Sequence, residues 1–135
     1  MAEQFQLRVV TPRASVLDAE VEEATGPGTI GEFGVLPNHA AFLTTLEIGA
    51  VSYKLGGRLG RIAVRGGFAE VVDNVMTVLV DAAQPAEEID SVAAEAELKD
   101  ALVRLKELSP LDPGFAEADA DRRWAETRIE VAKRK

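Results

Sequence analysis

The sequence contains no cysteine, a single histidine, one tryptophan, one tyrosine and no apolar run near the length of a membrane span. Without cysteine there is no disulfide framework, no thiolate nucleophile and no cysteine metal site, so packing alone must hold the chain together. The lone His39 would leave any Ser-His-Asp triad or zinc site to be completed by carboxylates, whereas zinc sites usually draw on at least two His or Cys ligands. It reads as a hydrogen-bonded turn residue or an interface contact, and the interface is the preferred reading. A membrane-crossing helix needs about 20 apolar residues; with mean hydropathy of zero, a soluble chain is expected. Met1-Ala2-Glu3-Gln4-Phe5 lacks the basic and then apolar run of a secretion signal, so a cytosolic address is expected.

The 135 residues fit one domain, or one compact domain plus a small appendage. Net charge is −8, which disfavours a nucleic-acid partner, whose phosphates call for Lys and Arg. Its distribution is uneven. Residues 1–85 carry six Lys/Arg and ten Asp/Glu, residues 86–121 three and eleven, and residues 122–135 six and two. An acidic segment is followed by a basic tail.

From Phe5 to Ala82 apolar residues recur with period two, as in strands with one buried face. Phe5, Leu7 and Val9 alternate with Gln6, Arg8 and Val10; Val51, Tyr53 and Leu55 alternate with Ser52 and Lys54. Turn residues separate the runs, and Gly56-Gly57 and Asp73-Asn74 each read as the turn of a β-hairpin. Short strands at this spacing, with no helical pattern between them, predict an antiparallel β-sandwich or barrel.

Composition changes at Gln84-Pro85-Ala86-Glu87-Glu88, after which Ala, Glu, Lys, Leu and Arg dominate. Asp90 or Ser91 can cap a first helix with an apolar stripe of Ala94, Leu98, Ala101, Leu102, Leu105 and Leu108, ending near Ser109-Pro110. The breakers through Gly114 make a turn, and a second helix runs from about Phe115 to Lys133. Its inward stripe is Ala118, Ala125, Ile129 and Ala132, with Trp124 and Val131 on a neighbouring line. The expected architecture is an antiparallel β-sandwich over 1–85 and an antiparallel two-helix hairpin over 86–135. Burying a leucine stabilises by roughly 1.5–3 kcal/mol, and alanine contributes far less. Pairs such as Glu95 with Lys99 and Asp100 with Arg104 add only ~0.2–0.5 kcal/mol each. A helical hairpin closed by alanine is therefore free to leave its resting place.

Several patterns invite a chemical reading. Gly26-Pro27-Gly28-Thr29-Ile30-Gly31 matches the glycine spacing of a dinucleotide site, but strand and turn residues follow where a helix would have to begin. Loop glycines are the expected meaning. Glu22-Glu23 and Glu87-Glu88 are adjacent carboxylates without a shared face, and Asp119 and Asp121 lack a calcium-loop pattern; all read as solvated surface. Arg122, Arg123, Arg128, Lys133, Arg134 and Lys135 form a basic end. Complementing the helix dipole accounts for the last three, while mid-helix Arg122 and Arg123 leave an acidic partner surface open as an alternative. A carboxylate-dependent hydrolase using Glu32, Glu70 or Glu117 is disfavoured, because no acid and base fall on one face.

Gly34-Val35-Leu36-Pro37-Asn38-His39-Ala40 and Gly66-Gly67-Phe68-Ala69-Glu70-Val71 carry the most specific resemblance, to the ε subunit of the rotary F-type ATP synthase, and it extends over essentially the whole chain. The resemblance implies a non-catalytic rotor part, peripheral on the cytoplasmic face of a bacterial plasma membrane. Its β-sandwich would bind the γ subunit and the membrane-embedded c ring, coupling proton flow to ATP synthesis. By position, Glu32 would meet the c-ring loops and His39 would lie near γ. The helical hairpin would fold on the sandwich or extend toward the α and β subunits to inhibit ATP hydrolysis, with Arg122, Arg123 and Arg128 meeting acidic residues. Some relatives bind ATP through an Ile/Leu-Asp-x-x-Arg-Ala motif. Here Ile89-Asp90-Ser91-Val92-Ala93-Ala94 places Ala93 at the arginine, so a bidentate contact is missing and no cofactor is expected. The competing reading is a small ligand-binding sandwich with a helical lid.

Overall fold

The computed structural model of the chain describes residues 3–133; Arg134 and Lys135 of the basic end lie outside them. Ten strands precede two helices: β1 (Phe5–Val10), β2 (Ser15–Val21), β3 (Glu23–Gly28), β4 (Gly31–Val35), β5 (Phe42–Thr45), β6 (Gly49–Leu55), β7 (Arg58–Arg65), β8 (Phe68–Val72), β9 (Val75–Leu79), β10 (Ala82–Pro85), a 3-10 turn (Ala86–Glu88), α1 (Ser91–Glu107) and α2 (Pro113–Lys133). They form two five-stranded sheets, ordered β2-β1-β9-β8-β5 and β10-β7-β6-β3-β4. Pairing is antiparallel except between β1 and β9, which run parallel. The exception arises because β1 is inserted between its hairpin partner β2 and a strand from the far end of the sandwich.

The period-two runs bury one face. Phe5, Leu7 and Val9 of β1, Val51 of β6, Ile62 and Val64 of β7, and Met76 and Val78 of β9 meet in one core between the sheets. The anticipated hairpin turns form at Gly56-Gly57 and Asp73-Asn74, all four residues having positive φ, as tight two-residue turns require. Leu55, read as a continuation of the buried face of β6, is 38% exposed at the turn, where the sandwich ends. Gly67, φ +101°, has its Cα so close to the chain at Leu79 that an added Cβ would lie 1.9 Å from the Leu79 carbonyl oxygen. Only glycine fits there.

β7 breaks the alternation: Ile62, Ala63 and Val64 are all buried. Ile62 and Val64 face the core, while Ala63 faces the opposite way, against Ala86, Ile89, Val131 and Ala132. A third layer, the helical hairpin, thus lies on the outer face of the second sheet. Asp90 caps α1 by accepting from the Ala93 amide at 3.1 Å. The second helix begins two residues before the expected Phe115, because Pro113 occupies a first-turn position where its missing N–H is not needed. Asp112 accepts from the Gly114 amide at 2.9 Å. Ala94 and Ala101 of α1 and Ala118 and Ala125 of α2 are fully buried, so the seam between helices is built from alanine. Leu102, placed on the inward stripe by its spacing, is 43% exposed; an alanine seam brings the helices too close for a leucine at the flank to enter.

Candidate functional site

Gly26, Pro27 and Gly28 belong to β3, so the glycine spacing is neither a loop nor the approach to a helix. A Cβ on Gly26 would lie 2.6 Å from Phe33 Cζ; the glycine is there to let the ring rest on the strand. Phe33 contacts Phe42 at 5.2 Å between centroids, and Phe42 meets the His39 ring edge-on at 6.0 Å. This aromatic row closes the seam between edge strands β4 and β5, and it places both Glu32 and His39 at one edge of the sandwich. Glu32 is exposed on β4, opposite Pro27. At the tip of the same hairpin Ile30 is 96% exposed.

His39 is a turn residue in its local bonding. Its amide donates to the Leu36 carbonyl at 3.2 Å and its Nδ1 lies 2.7 Å from the Ala40 carbonyl oxygen. The preceding Asn38, at φ 64°, donates its amide to Asn74 Oδ1 at 2.7 Å, and Asn74 Nδ2 donates to the Gln4 carbonyl at 3.0 Å. The loop is thereby pinned to the β8–β9 turn and the start of β1. Beside it, the outer face of the first sheet presents Leu43, 66% exposed, Phe68, Val72 and Leu79. Leu43, Thr44, Thr45 and Phe68 line an open recess of about 430 Å³. Exposed apolar side chains gathered at a sheet edge are of the kind found at protein, membrane or ligand contact surfaces.

The three candidate arginines diverge. Arg122 pairs along its own helix with Asp119 at 2.8 Å and Glu126 at 2.6 Å. Arg123 crosses to the sandwich and meets Glu47 at 2.8 Å. Arg128 is buried, pairs with Glu97 of α1 and lies over the Trp124 ring at 5.2 Å. In this conformation each finds its acid within the chain.

Asp121 is the residue that sequence reasoning missed. Read as solvated surface, it instead binds Arg65 of β7 at 2.9 Å through one oxygen and Arg104 of α1 at 3.0 Å through the other. Partial burial pushes its carboxyl up, but hydrogen bonds from Arg104 and then Arg65, with their charges, outweigh this and hold it below the usual carboxylate range. Glu47 and Glu97 were likewise unremarked; neither lies at a helical spacing from its arginine, so no local pattern announces them. Asp100 does pair with Arg104, at 3.2 Å, as the i,i+4 spacing predicts.

Among the described residues the candidate carboxylates do not assemble a reaction centre. Glu32, Glu70 and Glu117 are exposed on β4, β8 and α2, and among the described residues no three His, Asp or Glu group to hold a metal ion. Glu22, accepting from the Gly56 amide at 2.8 Å, braces a turn. The space between the sheets is filled by core side chains, and the helices cover an outer sheet face instead of a cavity mouth, which is unlike a lidded ligand site. Among the described residues no helix is long and apolar enough to cross a membrane.

Residues 4–86 match the family model of the ATP synthase delta/epsilon chain β-sandwich domain. The chain is 46% identical over 132 residues to the ATP synthase epsilon chain of Geobacter metallireducens, covering 98% of this chain and 96% of that one. It is 42% identical over 134 residues to ATP synthase epsilon chain 2 of Syntrophotalea carbinolica, covering 99% and 97%. Among solved structures, a chain of the Euglena gracilis mitochondrial ATP synthase, from an OSCP/F1/c-ring assembly, superposes with a TM-score of 0.80 at 28% identity, covering 96% of this chain and 81% of that one. A chain from the Tetrahymena thermophila central stalk and c ring shares the fold, with a TM-score of 0.61 at 13% identity, covering 97% and 98%.

Proposed function

Because the chain belongs to the ATP synthase delta/epsilon chain family, we propose that it is the non-catalytic epsilon subunit of the central stalk, which joins the sandwich to the rotor and uses the helical hairpin to restrain ATP hydrolysis. The observation that carries this reading is near full-length similarity to epsilon chains, which includes the helices beyond the matched sandwich domain.

The rotor contacts are those the family resemblance implies by position. The β3–β4 tip, with Ile30 and Glu32, is the surface for the c-ring loops. The edge bearing His39, Leu43 and Phe68 is the surface for the γ subunit, whose docking would cover the exposed apolar side chains. The subunit thus works on the cytoplasmic face of the bacterial plasma membrane as a peripheral component, coupling proton flow to synthesis. ATP is not assigned as a ligand, since Ala93 offers no guanidinium for phosphate.

When the helical hairpin extends toward the α and β subunits, Arg122, Arg123 and Arg128 meet acidic residues there. Changing all three to alanine should raise ATP hydrolysis by the reconstituted complex while assembly, followed by copurification with γ and the c ring, is retained. Unchanged hydrolysis would remove the inhibitory role. Loss of copurification by the wild-type chain would remove the stalk assignment itself.

A further inference from the structure

The helical hairpin rests on the sandwich through few bulky groups. Val131 is the one large apolar side chain that α2 buries fully, set against Ala63 with Trp124 and Ala50 at the rim. Among the described residues two ion pairs cross the same boundary, Arg65 to Asp121 and Arg123 to Glu47. Asp121 joins three elements: it stands on α2, holds Arg65 of β7, and holds Arg104 of α1.

We infer that Asp121 is the latch of the docked helical hairpin, and that docking withholds Arg123 from outside partners by engaging it with Glu47 of the sandwich. The second half rests on the reading of Arg123 as one of the hairpin's inhibitory contacts; the first half does not. Removing the Asp121 charge leaves Arg104 with Asp100 but takes from Arg65 its ion-pair partner, and a partly buried charge without its partner opposes closure. Arg65 is the decisive partner, because the Arg104 pair lies wholly within the helical hairpin and survives undocking.

The chain has no cysteine, so the double variant Lys54→Cys, Glu117→Cys carries two spin labels, one on β6 and one on α2, and electron–electron distances read docking in the full-length protein. Asp121→Asn and Arg65→Gln should each raise the undocked fraction roughly threefold or more, as expected for a partly buried pair somewhat stronger than an exposed one. Arg104→Gln should have the smaller effect. Circular dichroism checks helix content; should Asp121→Asn melt the helices, Arg65→Gln decides, since it leaves every contact inside the helical hairpin in place. Distances unchanged in Arg65→Gln would overturn the latch. In the reconstituted complex, Asp121→Asn should lower ATP hydrolysis roughly in step with the undocked fraction. An opened helical hairpin with unaltered hydrolysis would refute the withholding of Arg123 and leave the latch standing.

Discussion

At the scale of single residues, the most constrained position is a glycine. Gly67 combines a left-handed backbone with a Cβ position 1.9 Å from the Leu79 carbonyl oxygen, so alanine there must displace one of two paired strands. Gly67→Ala should destabilise the sandwich by about 1–3 kcal/mol or more, as strained or overpacked sites do, read as a lowered urea midpoint. The sequence marks this glycine as a turn residue, which understates it, because the crowding comes from a strand reached twelve residues later. His39 shows the same limit. Its type and its loop suggest an interface, while its Nδ1 bond to Ala40 and its contact with Phe42 show how the residue is held at the sandwich edge.

Among the elements, the helical hairpin answers most directly to charge. The depressed Asp121 carboxyl stabilises docking fully above the ordinary carboxylate value of 3.8, and this contribution is lost as pH falls through the lower folded value. Label distances should therefore stay constant from about pH 7 to 5 and lengthen only below about pH 4, with the response diminished in Asp121→Asn. The groups sharing its crevice are Arg65 from β7, Glu97, Asp100 and Arg104 from α1, and Arg128 with Trp124 from α2. A helical hairpin closed by alanine is legible from Ala94, Ala101, Ala118 and Ala125, because each repeats at helical spacing. The ion pairs across to the sandwich are not, since Arg65 and Asp121 are 56 residues apart and no periodicity connects them. The run Ile62-Ala63-Val64 carried a usable signal: three consecutive buried residues in one strand require cover on both faces.

For the whole molecule, the division of labour between layers makes a further expectation concrete. The main core draws its buried residues from Phe5 through Val80 and none from the helices. A chain ending at Pro85 should fold cooperatively, keep its strand circular dichroism and lose a few kcal/mol at most, through exposure of Ala50 and Ala63. A collapsed product on denaturant titration would show that the helices are needed to form the core. The sandwich and its strand pattern were readable because strands such as β1, β8 and β9 bury alternate residues on one face; the parallel β1–β9 pair was not, because it depends on where a strand is inserted and not on what it contains.

Trp124, the chain's only tryptophan, stands at the rim between helices and sandwich under the Arg128 guanidinium. Indole emission moves to longer wavelength when the ring meets water, and a stacked cation alters its intensity. The molecule accordingly carries its own optical gauge of whether the helices lie down or stand away, one per copy, legible without any dye.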